Sequence, residues 1–241
     1  MSESDDLTID CLIPARGGSK VVPKKNIKIL GKLPLIVYSI KVAKKSKYIR
    51  RVIVTTDDQE IANISKNYGA EILYLRPKDI STGKSIDIDF FKYHIKYLNE
   101  NHLDVPDLIV HLRPTTPFRD VSVIDDAIEF FKKDKRATSL RSANIANVTP
   151  YKIFKKDGMY MKPFLSSNLA DEFYNLPRQT FEEAYMPNGY VDIVQPDIFK
   201  SSNILHGDKI LLYKTQETID IDTIEDFYFA EQMLKKHKYK I

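Results

Sequence analysis

Short apolar runs alternate along the chain with longer stretches whose apolar positions recur every three or four residues. This is the pattern of strands joined by crossover helices into a mainly parallel sheet. The runs predict strands at Ile9–Pro14, Arg51–Thr55, Glu71–Leu75, Asp107–Leu112, Ala137–Leu140, Tyr190–Val194 and Lys209–Tyr213. Helices are expected between the first five, over about Leu35–Lys47, Asp58–Tyr68, Ile86–Asn99 and Val121–Lys133. Three helix starts carry capping-box spacing: Thr56 to Gln59, Ser122 to Asp125 and Thr223 to Asp226.

The rhythm breaks after Leu140. Residues 141–187 hold Pro150, Pro163, Pro177 and Pro187 among aromatics and short polar pieces, without a clean period. An inserted arm is expected there, serving as a dimer contact and a lid over a substrate. The 241 residues, 43% of them hydrophobic, suffice for one α/β domain over the whole chain, with no tandem repeat or low-complexity tract. The single cysteine, Cys11, excludes an intrachain disulfide framework and a Cys-rich zinc site, and points to a reducing compartment. The start Met1-Ser2-Glu3-Ser4-Asp5-Asp6 is acidic, and no uncharged apolar stretch approaches membrane-spanning length. A soluble, cytoplasmic protein without a membrane partner is therefore the expectation.

Charge is unevenly spread. Between Asp10 and Asp57 there are 12 Lys and Arg and no acidic residue. The rest of the chain carries 25 Lys and Arg against 33 Asp and Glu, a balance of −8. Such asymmetry implies a local anionic partner. Part of it is a solvated basic helix at positions 41–51, but the run Ile13-Pro14-Ala15-Arg16-Gly17-Gly18-Ser19-Lys20-Val21-Val22-Pro23-Lys24-Lys25-Asn26 follows the first strand directly. Paired glycines let backbone approach a ligand and point successive N–H groups into a concavity, while Arg16, Lys20 and Lys25 supply positive charge. A polyphosphate cradle is the reading. It matches neither familiar phosphate loop: no G-x-G-x-x-G occurs, and Gly83-Lys84-Ser85 lacks the Walker A glycine because position 78 is Lys. Nucleic acid is disfavoured as a partner, since no stacking aromatics interleave with the basic segment.

Near the other end, Asp220 and Asp222 alternate on an extended stretch, so both carboxylates project to one side ahead of a helix starting near Thr223. Two hard oxygen ligands, completed by water and substrate phosphates, suit Mg²⁺, although Asp222 is also well placed merely to cap the helix. The five histidines are scattered without ligand spacing.

The cradle resembles the first signature of the acylneuraminate cytidylyltransferases, which make CMP-activated sialic acids and related nine-carbon 2-keto sugar acids. Further matches follow in order: Thr55-Thr56-Asp57-Asp58, Arg76-Pro77, Leu112-Arg113-Pro114-Thr115-Thr116-Pro117-Phe118-Arg119, Pro177-Arg178-Gln179, Pro187-Asn188-Gly189 and Ile219-Asp220-Ile221-Asp222-Thr223. They span nearly the whole chain. The resemblance implies a three-layer α/β/α nucleotide-diphosphosugar transferase fold, with nucleotide over the carboxyl ends of the first strands.

It further implies nucleotide contacts from Ala15, Arg16, Gly17, Gly18, Ser19, Lys20, Lys25, Asn26, Arg76, Ser85 and Arg113, with Arg16, Lys25, Asp220 and Asp222 catalytic. The last two would hold Mg²⁺, and Lys25 would steady the α-phosphoryl group. Arg178 is expected on the sugar carboxylate, with Gln179, Asn188 and Tyr190 on hydroxyls and the sugar's apolar face. A homodimer using CTP, or another nucleoside triphosphate, and an acidic sugar follows. Departures cluster on recognition. Val21 stands where the family usually has Gly, Gly83 replaces an acidic residue, Tyr190-Val191-Asp192 replaces the usual sialic-type sequence, and Arg113 replaces a common Gln beside the base. Arg favours guanine-type acceptors. A sugar 1-phosphate nucleotidyltransferase using GTP is therefore an alternative, as is a nucleotide-binding module without turnover. The eight-carbon 2-keto sugar branch is disfavoured, because it carries an acidic metal ligand where this chain reads Arg113-Pro114-Thr115-Thr116-Pro117.

Overall fold

A computed structural model describes residues 7–19, 21–201 and 203–236. Its elements in chain order are β1 (Ile9–Pro14), β2 (Ile29–Leu30), β3 (Leu33–Pro34), α1 (Leu35–Lys45), β4 (Arg51–Thr55), α2 (Gln59–Asn67), α3 (Asp87–Glu100), β5 (Leu108–His111) and α4 (Val121–Lys133). There follow β6 (Ser139–Ile145), β7 (Phe154–Asp157), β8 (Tyr160–Pro163), β9 (Tyr185–Val194), α5 (Ile198–Ser201), β10 (Ile210–Lys214) and α6 (Ile224–Lys235).

Six strands form one sheet in the order β10-β6-β9-β5-β1-β4, in which only β9 runs antiparallel to its neighbours. The central strands are apolar on both faces because both faces are covered. Cys11 and Ile13 of β1, Val52 and Val54 of β4 and Val110 of β5 pack against α1, α2 and α4. The intervening Leu12, Ile53 and Ile109 face α3 and α5 on the other side. This is the expected three-layer α/β/α arrangement. A third cluster joins Leu30, Leu35, Tyr38 and Phe118 to Ile221, Phe227 and Ala230, which docks α6 and the segment before it beside the carboxyl end of the sheet.

Several expectations need correction. Glu71–Leu75 forms no strand: it touches the edge strand β4 only through isolated bridges, Ile53 with Glu71 and Thr56 with Leu75. β6 and β9 run deeper into the presumed arm than their apolar runs indicate, because they pair with each other out to Ile145 and Tyr185. Between them the chain makes the hairpin β7–β8 and short 3₁₀ turns. Of the three expected capping boxes only Thr223 with Asp226 forms. Asp58 caps α2 by accepting from the backbone of Glu60 and Ile61, and Asp120 caps α4 through Ser122 N, because the helices begin at Gln59 and Val121 and these aspartates are the residues just before them.

Phe91 is fully buried and meets the rings of Phe90, His111 and Phe199 at 4.9, 5.2 and 5.6 Å. Phe91→Ala is expected to cost about 3–5 kcal/mol in urea denaturation.

Candidate active site

The loop after β1 is built around Gly17. A Cβ there would lie 2.7 Å from Asp58 Oδ2, so no larger residue fits, whereas Gly18 faces open space. The loop's backbone is less available to a ligand than paired glycines suggest. Gly17 N donates to Asp57 Oδ1 at 2.9 Å, Ala15 N to Thr55 O and Ser19 N to Gly17 O. These bonds occupy the N–H groups of Ala15, Gly17 and Ser19. Arg16, Ser19, Lys25, Asn26, Arg76 and Arg113 line a cavity of about 220 Å³, with Ser85 on its far wall. Arg16, Ser19 and Lys25 also line an adjoining cavity of about 660 Å³ that reaches Val21, Gly83 and Asp222. Lys20 lies outside the described residues.

Lys25 is where the two ends of the chain meet. Its Nζ donates to Ile221 O at 2.8 Å and to Asp222 Oδ1 at 2.9 Å. Lys24, in the left-handed region at φ 51°, starts the 3₁₀ turn that presents Lys25, and Asn26 fixes the turn by donating to Arg16 O at 3.0 Å. On the opposite side Ile221 is fully buried and donates its N–H to Thr115 O, so Asp220 and Asp222 both project outward. Thr223, not Asp222, caps α6. Asp222 therefore faces the cradle, while exposed Asp220 lines neither of these cavities.

No group of three or more His, Cys, Asp or Glu among the described residues is arranged to hold a metal. An aspartate pair suits only an ion that takes its remaining ligands from water and phosphate, which is the habit of Mg²⁺. Asp222 fits: its second oxygen has no partner and its side chain is 72% exposed beside the cavity.

Two arginines define the inner end of the cavity. Arg76 is 6% exposed, lies 5.4 Å from the Phe90 ring centroid, and leaves Nε and Nη2 without acceptors. Desolvation lowers its pKa, with Asp57 opposing. A buried guanidinium with open donors is suited to receive a carbonyl or phosphate oxygen. Arg113 is different. Its Nη1 donates to Asp192 Oδ2 and its Nη2 to Asp87 Oδ2, each at 2.8 Å, and Asp192 is completely buried. The guanidinium that suggested guanine recognition is thus held by two carboxylates of its own chain.

The expected acceptor residues are not gathered at Lys25, and none lines either of these cavities. Arg178 donates to Ala146 O and Asn147 O, and Gln179 beside it is exposed. Asn188 donates to Asn144 Oδ1, Thr215 Oγ1 and Gln216 O, fixing the approach to Asp220. Tyr190 lines a separate cavity of about 680 Å³ and accepts from Asp120 N through its hydroxyl. The pattern of the chain also left Asp57, Asp87, Asp192 and Arg119 without roles. Asp192 had a signal, a carboxylate between Val191 and Ile193 in an apolar run, which demands a buried partner.

An open α/β sheet with cationic side chains and an acidic segment converging at its carboxyl edge is an arrangement suited to nucleotide binding. Solved structures agree in fold: a CMP:2-keto-3-deoxy-manno-octonic acid synthetase complexed with CTP aligns over 95% of this chain and 99% of its own, with TM-score 0.70 and 13% identity. A 4-diphosphocytidyl-2C-methyl-D-erythritol synthase from Anaerococcus prevotii aligns over 96% and 97%, with TM-score 0.61 and 16% identity. The chain belongs to the cytidylyltransferase family, whose sequence pattern matches residues 11–238. It is 29% identical to the N-acylneuraminate cytidylyltransferase of Escherichia coli over 97% of this chain and 54% of that protein, and so spans about half that relative's length. It is 28% identical to the CMP-N,N'-diacetyllegionaminic acid synthase of Legionella pneumophila over 95% of this chain and 97% of that one. It is likewise 28% identical to the pseudaminic acid cytidylyltransferase of Campylobacter jejuni, over 93% and 95%.

Three stability measurements check the site's architecture. Arg113→Gln strands the buried Asp192 carboxylate and is expected to cost about 3–5 kcal/mol, most of it recovered in the Arg113→Gln, Asp192→Asn double variant. Thr223→Ala is expected to lower stability by about 1 kcal/mol through loss of the α6 cap. Asp222→Ala is expected to cost less than that, having only the contact with Lys25 to lose.

Proposed function

We propose that this protein transfers CMP from CTP to the anomeric hydroxyl of a nine-carbon 2-keto sugar acid of the sialic, legionaminic or pseudaminic type, releasing pyrophosphate. The observation that carries this reading is the meeting of Lys25 with Asp222 at a cavity also lined by Arg16 and Ser19. Family membership supports the cytidylyl donor, and the names of the relatives support the class of acceptor.

In this reading Arg16, Ser19 and Lys25 hold the triphosphate, and Lys25 stabilises charge developing on the α-phosphoryl oxygens. Gly18 leaves room for the phosphates to approach. Arg76 offers its open Nε and Nη2 donors to the acceptor edge of the base, and Phe90 supplies the apolar surface below it. The sugar hydroxyl oxygen forms the new bond to the α-phosphorus as the bond to the β-phosphate oxygen breaks. The hydroxyl proton leaves to solvent, and pyrophosphate carries away the bonding electron pair. Asp222, with Asp220, would hold Mg²⁺, which offsets phosphate charge and acidifies the attacking hydroxyl.

The acceptor carboxylate is assigned to Arg178, with Gln179, Asn188 and Tyr190 on the rest of the sugar. Their distance from the Lys25 cavity is accommodated by a homodimer in which the segment between β6 and β9 reaches a neighbouring copy. That segment exposes Met159, Tyr160, Met161 and Phe164, each more than 60% accessible. A cytoplasmic site of action belongs to the same reading. No helix among the described residues is long and apolar enough to cross a membrane.

Pyrophosphate release over four nucleoside triphosphates, with nine-carbon keto acids and sugar 1-phosphates as acceptors, tests the proposal. Turnover with CTP and a keto acid is expected, falling about 10²- to 10³-fold in Lys25→Ala. Turnover only with GTP and a sugar 1-phosphate would overturn it. CTP binding without turnover on any acceptor would mark a binding module instead.

A further inference from the structure

Arg119, in the loop between β5 and α4, gives every N–H of its guanidinium to an uncharged oxygen. Nε donates to Tyr190 O at 2.5 Å. Nη1 donates to Ser39 Oγ at 3.0 Å and to Thr116 O. Nη2 donates to Arg113 O at 2.9 Å and Gly189 O at 3.0 Å. Five donors thus meet five acceptors drawn from three segments: the loop after β5, the middle of β9, and α1. Ser39 closes the ring by donating to Arg113 O at 3.3 Å.

The segments joined this way have different tasks. Arg113 lines the cavity that holds Lys25 and Arg76. Gly189, at φ 66°, and Tyr190 belong to the stretch assigned above to the sugar. Burial pulls Arg119 down to about 10, and its hydrogen bonds go to four carbonyls and a hydroxyl. A planar fork of five donors is the one side chain able to span so many oxygens at once, and a lysine ammonium, with three donors at a single point, cannot.

We infer that Arg119 is a positioning residue for the transfer reaction: it fixes the spacing between the donor cavity and the sugar-binding part of β9. It acts through the backbone of Arg113, Gly189 and Tyr190. The inference rests on the proposed function for the identity of the acceptor. Arg119 makes no contact with Arg16, Ser19 or Lys25, the residues assigned to the triphosphate, so its loss bears on the acceptor more than on CTP.

The test uses the full chain and three variants: Arg119→Lys, the milder Ser39→Ala, and Ile128→Val in the α4 core as a control for lost stability. Calorimetric CTP affinity and steady-state kinetics with the keto acid are read for each. Arg119→Lys is expected to raise the acceptor KM at least about tenfold while the CTP Kd stays within about threefold. Ser39→Ala moves the acceptor KM the same way, by about threefold, and decides the matter should Arg119→Lys not fold; Ile128→Val moves neither constant. An acceptor KM in Arg119→Lys no different from that in Ile128→Val overturns the inference alone, as does a CTP Kd rising in step with KM. Absence of wild-type turnover with every keto acid overturns the proposed function, and this inference with it.

Discussion

A single ammonium group ties the two ends of this chain together. Lys25 Nζ bonds the carbonyl of Ile221 and the carboxylate of Asp222 across nearly 200 residues of sequence. The contact exists because two pieces of packing converge. The glycine turn held by Asp57 and Asp58 aims the first loop across the carboxyl end of the sheet. The cluster of Leu30, Leu35, Tyr38, Phe118, Ile221 and Phe227 brings the last helix back to the same place. An exposed ion pair of this kind contributes little to stability, and with Asp222 72% exposed it stands at the margin of the fold. Its significance is positional: a cation suited to phosphate and a carboxylate suited to a hard metal ion share one wall.

The surrounding charges divide into committed and uncommitted groups, and that division gives the site its character. Arg113 is held between Asp87 and Asp192, and Arg119 is taken up by four backbone carbonyls and the Ser39 hydroxyl. Arg76 presents open guanidinium donors from a buried position in the cavity. Positive charge at a cavity attracts any polyanion, so selectivity must come from the groups that are fixed in place. The Arg113–Asp192 pair has a further meaning. Arg113 and Asp192, which both depart from the family pattern described above, meet at 2.8 Å in this chain.

Much of the fold is readable along the chain, for physical reasons. β1 and β4 are buried on both faces, so their apolar runs begin and end where the strands do. α4 carries an apolar stripe and is bounded as its period indicates. Glu71–Leu75 has strand-like composition but reaches the sheet only at isolated positions, a fact of tertiary geometry that local pattern does not carry. The cradle residues are legible because glycine and cations crowd into one loop. The functions of Asp57 and Arg119 are not, because their partners lie 40 to 80 residues away or are backbone atoms without a side-chain signature. Thr223 takes the capping role and frees Asp222 to face Lys25.

The joining of Lys25 to Asp222 is tested most directly by a double-variant cycle on pyrophosphate release, comparing Lys25→Ala, Asp222→Ala and both together. If the two act as one unit, each single change lowers turnover by at least about 10²-fold and the double variant is little worse than the poorer single. Losses that multiply, or an Asp222→Ala enzyme as active as the parent, would contradict it.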